Sequence, residues 1–304
     1  MEGVNQLKNK KYAADIDSIK GAHTRISPFI HKTPVLSSTS LNSISGKQLF
    51  FKCECFQKGG AFKIRGASNA IFSLEDDQAA KGVVTHSSGN HAAAISLAAK
   101  LRGIPAYVVI PKNAPACKVE NVRRYGGQVI WSEATMQSRE STATAVQQRT
   151  GANLIHPFND KRGGLISGVT LAAKSINPSI RVLAAEPMGA DDAARSKLSG
   201  RLITLSDTNT IADGLRASLG DLTWPVVRDL VDDIVVLDEN EIIKAMRLCY
   251  EILKLAVEPS GAIGLAAILS DQCKQKPYWK DMRKIAIVLS GGNVDLGVLW
   301  ESLK

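Results

Sequence analysis

The sequence predicts an α/β protein of two domains, built from mostly parallel, twisted sheets flanked by helices. Three observations favour this class. Short apolar runs alternate with amphipathic or small-residue segments along most of the chain. A length of 304 residues allows two cores, and 44% hydrophobic with 22% charged residues is an ordinary globular composition. Disorder is therefore excluded.

The predicted strands and helices alternate, and the alternation fails at one point. The strands are, in order, "QLFFKCE", "GVVTH", "AYVVIP", "QVIW", "RVLAAEP", "DIVVL" and "KIAIVLS". The clearest helical patterns are "HAAAISLAAKLRG", "CKVENVRRYG", "ENEIIKAMRLCYEILK" and "SGAIGLAAILS". After "ANLIHPF" the chain passes from a loop straight into a helix that begins near Gly164. A strand is expected between them and is missing.

Charge and cysteine content favour an intracellular protein that binds small anions. The net charge is +9, but the dense basic run is confined to "KNKKY" near the N-terminus, so nucleic-acid binding is not expected. The five cysteines, with no signal-peptide pattern and no apolar run long enough to span a bilayer, indicate reduced thiols in the cytoplasm and no membrane contact. Cys53 and Cys55 are interpreted as core thiols.

"GGAFKIRGA" places Lys63 after a glycine pair and at the start of a predicted helix. A lone lysine is usually a surface residue. Here Phe62, Ile64 and the positive end of the helix would lower its pKa toward the free amine that Schiff-base chemistry requires.

"VVTHSSGNHAAA" runs from a strand through a polar turn into a helix. The N–H groups near Ser88 to His91 would then point out of a helix N-terminus, which is an anion site. Alternatively, Ser88 or Asn90 simply caps the helix. Neither a phosphate-loop lysine motif nor a dinucleotide fingerprint is present, so nucleotide folds of those types are not predicted.

Two further turns lie where ligands of α/β sheets bind. Ser290 follows the last predicted strand, where it could cap a turn or hydrogen-bond a ring nitrogen without protonating it. "KRGGLISG" resembles a glycine turn that holds a phosphate at a helix N-terminus, although no strand leads into Gly163 and Gly164.

"AAEPMGADDAARS" places Glu186 at a strand end and Asp191 and Asp192 at the next helix start. Acidic residues are common at helix N-termini. Glu186, Asp192 and a backbone carbonyl between them would also suit Mg²⁺ or Ca²⁺.

Together these motifs resemble the fold type II pyridoxal-phosphate enzymes, with a tryptophan synthase β-like fold, and among them most closely the plant-type serine racemases. The resemblance covers nearly the whole chain and rests on "PVLSSTSLN", "FFKCECFQKGGAFKIRGA", "SSGNHAAA", "AAEPMGADDA", "TIADGLRASLGDLTWPVVRDLVDD", "VEPSGAIGLAA" and "VLSGGNVDLG". It implies a large cofactor-binding domain of residues 1–78 and 159–304 and a small domain of residues 79–158. It also implies pyridoxal 5′-phosphate as cofactor, serine as substrate and a homodimer.

The resemblance further implies roles for the candidate residues. Lys63 corresponds to the lysine that bonds to the cofactor and exchanges a proton on one face of the substrate α-carbon, and Ser88 to its counterpart on the other face. The implied substrate contacts are Ser87, Ser88, Gly89, Asn90 and His91. The implied cofactor contacts are Lys63, Asn90, Gly163, Gly164, Leu165 and Ser290. The implied cation ligands are Glu186, the carbonyl of Ala190 and Asp192, and an ATP effector would contact Asn293 and Tyr125.

The chain departs from this pattern before Gly163. Family members carry a helix and a buried strand of roughly 30 residues between the positions of Arg162 and Gly163. Losing half a dozen large side chains at about 1.5 to 3 kcal/mol each removes on the order of 10 kcal/mol of burial. Two hypotheses follow: an active serine racemase with dehydratase activity, or a catalytically impaired form that only binds the intact enzyme. A threonine or serine dehydratase is a further alternative.

Overall fold

The computed structural model of the chain describes residues 12–114, 116–157, 159–160, 164–295 and 297, all but the side chain of Cys117. The strands are β1 (Val35–Leu36), β2 (Gln48–Cys53), β3 (Val83–His86), β4 (Ala106–Pro111), β5 (Gln128–Ser132), β6 (Asn153–Leu154), β7 (Leu183–Pro187), β8 (Asp233–Leu237) and β9 (Lys284–Leu289). The helices are α1 (Ile16–Ile26), α2 (Thr39–Ser45), α3 (Lys63–Phe72), α4 (Asp76–Ala80), α5 (Asn90–Arg102), α6 (Ala116–Arg124), α7 (Met136–Thr150), α8 (Leu165–Ile176), α9 (Asp192–Ser199), α10 (Trp224–Leu230), α11 (Glu239–Leu248), α12 (Pro259–Leu269) and α13 (Asp271–Lys274).

The chain divides into two compact units. Of the described residues, the first unit holds 12–13, 32–62 and those from 165 onward, and the second holds 14–31 and 63–164. The second unit contains the predicted small domain of residues 79–158, and it also takes in α1 and α3. Helix α3 packs here because its apolar residues, such as Ile64 and Ile71, share a core with Ile95 of α5.

The second unit is built on one parallel sheet. Its strand order is β5-β4-β3-β6, and β3 is paired on both edges. All four residues of β3 are buried. Burial on both faces is typical of a central strand in a parallel sheet, and it explains why "VVTH" shows no alternation of apolar and polar residues.

The first unit contains two separate sheets. In one, β2 pairs antiparallel with β1 and parallel with β9, from Gln48 opposite Lys284 to Cys53 opposite Leu289. In the other, β7 pairs parallel with β8. One apolar core lies under both sheets, and helix α12 packs against β7, β8 and β9. No described strand joins the two sheets.

The α/β fold class predicted from the sequence is confirmed, and the seven predicted strands all form. The short strands β1 and β6 were not predicted. In the described residues between β6 and α8, no strand is present, as the broken alternation indicated. The four described cysteines are free thiols, of which Cys53 is buried and Cys55 half-buried. None of the described helices is both long and apolar enough to cross a bilayer.

Candidate active site

Lys63 is the first residue of α3, as predicted, and it is half-buried. In the first unit, the N–H of the preceding residue, Phe62, donates to the carbonyl of Ser290 over 3.0 Å. This bond fixes the backbone from which Lys63 enters the helix. In the second unit, the charge of Lys63 acts on His91 and lowers its pKa.

The turn from β3 to α5 lacks a capping side chain. Gly89 is the N-cap residue and no side chain accepts from the first turn, so the alternative with Ser88 or Asn90 as the cap is wrong. Instead, the Ser87 hydroxyl oxygen accepts from the Gly89 N–H at 3.3 Å. Helix α5 has 13 residues and no acidic residue in its first turn. Its N-terminus is therefore electrostatically suited to an anion.

His91 is a neutral, hydrogen-bond-accepting residue in this turn. Burial, and secondarily the charge of Lys63, lower the pKa of His91 to about 3, while its hydrogen bond with the Ile155 backbone acts in the opposite direction. The ring is half-buried, but its Nε2 atom is completely enclosed and has no partner among the described residues. The ring therefore donates to Ile155 through Nδ1, and Nε2 is left as an acceptor.

A cluster of two histidines and one glutamate lies beside this turn. It was not predicted from the sequence. His86, Glu140 and His156 bring one side-chain N or O atom each within 4.8 Å of one another. The Nδ1 atom of His156 accepts from the Asn159 N–H at 3.1 Å, so the neutral ring carries its proton on Nε2. This tautomer opposes metal binding through Nε2. The cluster could not be predicted because the pairing of β3 with β6 brings the two histidines together, and β6 has only two residues.

Ser290 directly follows β9, and the two glycines after it are required by packing. The Ser290 hydroxyl donates to the Ser260 carbonyl at 3.3 Å, which leaves its oxygen lone pairs able to accept. A Cβ atom on Gly291 would lie 2.1 Å from a carboxylate oxygen of Glu258, and one on Gly292 would lie 2.4 Å from the Ala256 carbonyl oxygen. Only glycine fits at both positions.

The structure describes part of the predicted phosphate turn. Gly163 lies outside the described residues. Gly164 has φ +111°, a conformation that favours glycine, and Leu165 begins α8.

Two of the predicted cation ligands, Glu186 and Asp192, lie close enough in the first unit for their charges to interact. The Glu186 carboxylate accepts from the N–H groups of Ala193 (3.2 Å) and Ala194 (2.9 Å) at the start of α9. Asp192 accepts from the Leu219 N–H at 2.8 Å. Burial, with the nearby Asp192 charge, raises the pKa of Glu186 to about 7, and burial also raises the pKa of Asp192. Glu186 thus caps the N-terminus of α9, and the carboxylates of Glu186 and Asp192 also concentrate negative charge at this point.

The loop between these carboxylates requires a glycine. A Cβ atom on Gly189 would lie 1.7 Å from the Asn209 carbonyl oxygen. The close approach holds the backbone just before Ala190, whose carbonyl is the third predicted ligand. A half-buried carboxylate, a buried carboxylate and a carbonyl are the oxygen ligands that a hard divalent cation prefers.

Comparisons with known proteins identify relatives of this chain. A family model of pyridoxal-phosphate dependent enzymes matches residues 26–162 and 161–291. The serine racemase of Oryza sativa subsp. indica is 68% identical over 329 alignment positions, which cover 99% of this chain and 97% of the rice protein. The structure of maize serine racemase matches with a TM-score of 0.93 and 64% identity, over 96% of this chain and 97% of that one. The structure of serine racemase from Dictyostelium discoideum matches with a TM-score of 0.88 and 44% identity, over 93% of this chain and 99% of that one.

The same comparisons support the predicted loss of an internal segment. The two parts of the family match meet at residues 161–162, which lie between β6 and α8 in the sequence. The rice alignment has 329 positions and this chain has 304 residues, so at least 25 rice positions, the difference of the two numbers, lack a counterpart here. On either side of that break the match continues through most of the chain, and the chain belongs to the pyridoxal-phosphate dependent enzyme family.

Proposed function

We propose that this chain interconverts L- and D-serine with pyridoxal 5′-phosphate as cofactor, and that it also removes the β-hydroxyl of serine to give pyruvate and ammonia. The serine racemases of rice and maize support the reaction, since both match nearly the full chain. The observation that carries the proposal is the uncapped N-terminus of α5, where His91 feels the charge of Lys63. The second unit therefore supplies both the amine of Lys63 and an anion site at the N-terminus of α5.

The residues present fit this cofactor. The enclosed Nε2 atom of His91 lacks a partner among the residues described, and buried polar atoms without a partner are rare in proteins. A bound hydroxyl, ammonium or protonated phosphate group would satisfy it. Lys63 would hold the cofactor through Nζ. When bound, the cofactor withdraws electrons from the substrate α-carbon and so stabilises negative charge there. Further proposed contacts are Asn90, Gly163, Gly164, Leu165 and Ser290.

Lys63 and Ser88 would move protons at the substrate α-carbon. The amine of Lys63 takes or returns the proton on one face, and the hydroxyl of Ser88 does so on the other. Removal on one face and return on the other inverts the centre. Loss of the β-hydroxyl as water after the same proton removal leaves an enamine, which water hydrolyses to pyruvate and ammonia, so the two activities share one step.

The residues Ser87 to His91 would bind the substrate carboxylate. The uncapped helix N-terminus supplies N–H groups and a positive dipole end. His91 is neutral at physiological pH, since its pKa is about 3, and therefore does not supply a second positive charge.

The variant Ser88→Ala tests the two-face assignment. It is expected to lose racemisation by at least about a hundredfold, because general acid–base groups contribute roughly 10² to 10⁴ in rate. Elimination should persist from one serine enantiomer, the one whose proton Lys63 removes. Chiral chromatography of serine and a coupled pyruvate assay measure the two rates. Ser141→Ala, which changes an exposed serine of α7 in the same unit, is the matched control and should retain racemisation. Equal loss of elimination from both enantiomers in Ser88→Ala would contradict the assignment.

Glu186, the Ala190 carbonyl and Asp192 are proposed to bind Mg²⁺ or Ca²⁺. Because burial raises the pKa of Glu186 to about 7, the folded chain binds this proton more tightly than the unfolded chain does, and its ionisation destabilises the fold as the pH rises toward that value. A cation favours the ionised carboxylates. Added Mg²⁺ should therefore raise the thermal midpoint more above pH 7 than well below it.

The control for this prediction lies next to the proposed ligands. Glu186→Gln should abolish the pH-dependent effect of Mg²⁺. Asp191→Asn should retain it, because Asp191 pairs with Arg195 at 2.7 Å and is not a proposed ligand. A Mg²⁺ effect that is equal in wild type and Glu186→Gln would exclude this site.

The finer parts of the proposal follow from the resemblance: a homodimer in the cytoplasm, and an ATP effector that contacts Asn293 and Tyr125. Asn293 donates through Nδ2 to the Gly59 carbonyl at 2.7 Å. A nucleotide would therefore use the side-chain oxygen of Asn293 or replace this bond. The net charge of +9 favours an anionic effector.

A second candidate function is that of a binding partner without catalysis. The two unjoined sheets of the first unit favour it, because the predicted cofactor contact Ser290 follows β9, a strand at the break. Mixing this chain with the intact rice enzyme tests it. A change in the rice enzyme's rate, with no serine turnover by this chain alone, would favour the second function. Turnover of threonine in preference to serine would instead favour a threonine dehydratase.

A further inference from the structure

A surface cavity of about 420 Å³, open to solvent, lies in the first unit where β2 and β9 begin. Volumes of about 300–1,000 Å³ are typical of small-molecule sites. None of the residues that line it is a proposed contact of the cofactor, the substrate or the divalent cation. The lining residues come from α2, the start of β2 and the segment before β9: Asn42, Ser43, Gly46, Lys47, Gln48, Lys280, Met282 and Arg283.

The charged side chains that line this cavity are all basic. Lys47, Lys280 and Arg283 contribute three positive charges, and the lining residues include no aspartate or glutamate. In the described part of the chain, no carboxylate forms an ion pair with Lys280 or Arg283. By contrast, Lys276 of the same basic stretch pairs with Asp233 at 2.8 Å. A cleft lined by charges of one sign attracts ligands of the opposite sign.

The half-buried Lys47 is held in place at this cavity. Its Nζ atom donates to the Trp279 carbonyl at 2.7 Å and lies 4.5 Å from the centroid of the Trp279 ring. An ammonium group has three N–H donors, so two are left for a ligand. The Gln48 N–H donates to the Arg283 carbonyl at 3.0 Å and joins the two walls of the cavity. The backbone of both walls and one cation are therefore positioned before a ligand binds.

Neutral polar side chains line the wall formed by α2. The Oδ1 atom of Asn42 accepts from the Leu49 N–H at 2.8 Å, so the amide N–H groups of Asn42 are left to bind a ligand. The Ser43 hydroxyl donates to the Thr39 carbonyl at 3.1 Å, so its oxygen can accept. Among the lining residues, only Met282 has an apolar side chain. The cavity therefore suits a polar ligand with hydroxyl groups rather than an apolar one.

Two negative groups near the cavity do not cancel its positive charge. Helix α2 ends there with Gly46 as its C-cap, and a helix C-terminus carries about half a negative charge. Asp281 lies between two lining residues in the sequence, but it is exposed and does not line the cavity. Even when both groups are counted in full, the three positive charges exceed them.

We propose that this cavity binds a small phosphate monoester whose organic part carries hydroxyl groups. A phosphate monoester brings a charge of about −1.5 to −2 and three acceptor oxygens to one point, which matches three converging cations. The guanidinium of Arg283 can donate two parallel hydrogen bonds to such a group. Asn42 and Ser43 would contact the hydroxyl groups. This binding goes beyond the proposed function, since it requires neither the cofactor nor turnover of serine.

Titration calorimetry of the full chain with glycerol phosphate tests the proposal. Binding should be saturable, and it should weaken as the salt concentration rises, because two of the three cations are exposed to solvent. Glycerol phosphate should also raise the thermal midpoint, as a ligand of the folded state does. Inorganic phosphate should bind at least about threefold more weakly, because it lacks the hydroxyl contacts and a hydrogen bond contributes roughly two- to tenfold in affinity.

Two neighbouring residues provide a matched pair of single-charge variants. Arg283→Gln removes a cation from the cavity, whereas Lys284→Gln removes an exposed cation that does not line it. The first should weaken binding by about threefold or more, and by about tenfold when combined with Lys280→Gln, because an exposed charge contributes up to about fivefold. The second should change binding by less than about twofold.

Three results would overturn the proposal: no saturable binding to wild type, equal weakening by Arg283→Gln and Lys284→Gln, or equal affinity for inorganic phosphate. If Arg283→Gln fails to fold, as judged by circular dichroism, Lys280→Gln takes its place in the comparison. All these variants leave the proposed active site unchanged. A phosphate bound at that site therefore contributes equally to every titration, and the result does not depend on serine turnover.

Discussion

Lys63→Ala should abolish both D-serine and pyruvate formation, with a loss of at least about a thousandfold. The expected loss is large because one amine is proposed to hold the cofactor and to exchange the α-proton, and proton exchange alone contributes roughly 10² to 10⁴. The measurements are the initial rates of both products, and absorbance of the protein with pyridoxal phosphate before and after borohydride reduction. Peptide mapping of the wild type should place the reduced cofactor on Lys63.

Two controls separate chemistry from folding. Lys63→Arg keeps a cation at the start of α3 but cannot form a Schiff base, so it should be as inactive as the alanine variant. Lys58→Ala removes a half-buried lysine from the segment just before Lys63 and should leave both rates within a few-fold of wild type, as most substitutions away from a site do. Scattered borohydride labelling, or full activity in Lys63→Ala, would remove Lys63 from its proposed role.

The positions of the chemistry-bearing residues could be predicted because each depends on local sequence. The glycine pair before Lys63 and the apolar spacing after it indicate a helix start, and α3 begins there. "KIAIVLS" is a strand whose end is marked by Gly291 and Gly292, and Ser290 follows β9 directly. A strand end or helix start is encoded by neighbouring residues.

Features that depend on distant pairing could not be predicted. The His86–His156 contact needs the pairing of β3 with β6, and β6 contains only two residues. Alternation of apolar runs gives no information about which strands lie side by side.

The packing of α3 likewise depends on distant residues, so the unit to which this helix belongs could not be predicted. Its amphipathic pattern predicts a helix but not its partner. Ile64 and Ile71 pack with Ile95, so the helix that starts at Lys63 belongs to the unit of the β3–α5 turn. The Lys63–His91 interaction is a direct consequence of this shared core.

Inserting the missing rice segment between Arg162 and Gly163 should produce the largest gain in stability and activity. Among the described strands, β9 and β7 each have one open edge that pairs with no other strand, so an added strand could pair there and cover the exposed Ala286 and the half-buried Ile285. Half a dozen large side chains at about 1.5 to 3 kcal/mol each contribute on the order of 10 kcal/mol. That is comparable with the whole stability of an ordinary domain, about 5–15 kcal/mol. Calorimetric unfolding and the rate of pyruvate formation should both rise strongly.

A Gly/Ser-rich insertion of the same length at the same position is the control. It lengthens the connection between β6 and α8 to more than three times its length without supplying a strand, and each doubling of a loop costs only about 0.6 kcal/mol, about 1 kcal/mol in all. It should therefore leave the unfolding temperature nearly unchanged. If the rice segment and the Gly/Ser segment gave the same result, the open edges of β9 and β7 would not limit the stability of this fold. A gain confined to the rice segment would instead mean that the residues for serine chemistry are present and that the sheet holding Ser290 is incomplete. In that case the loss of a single strand, rather than the loss of any proposed catalytic side chain, sets the activity of this chain.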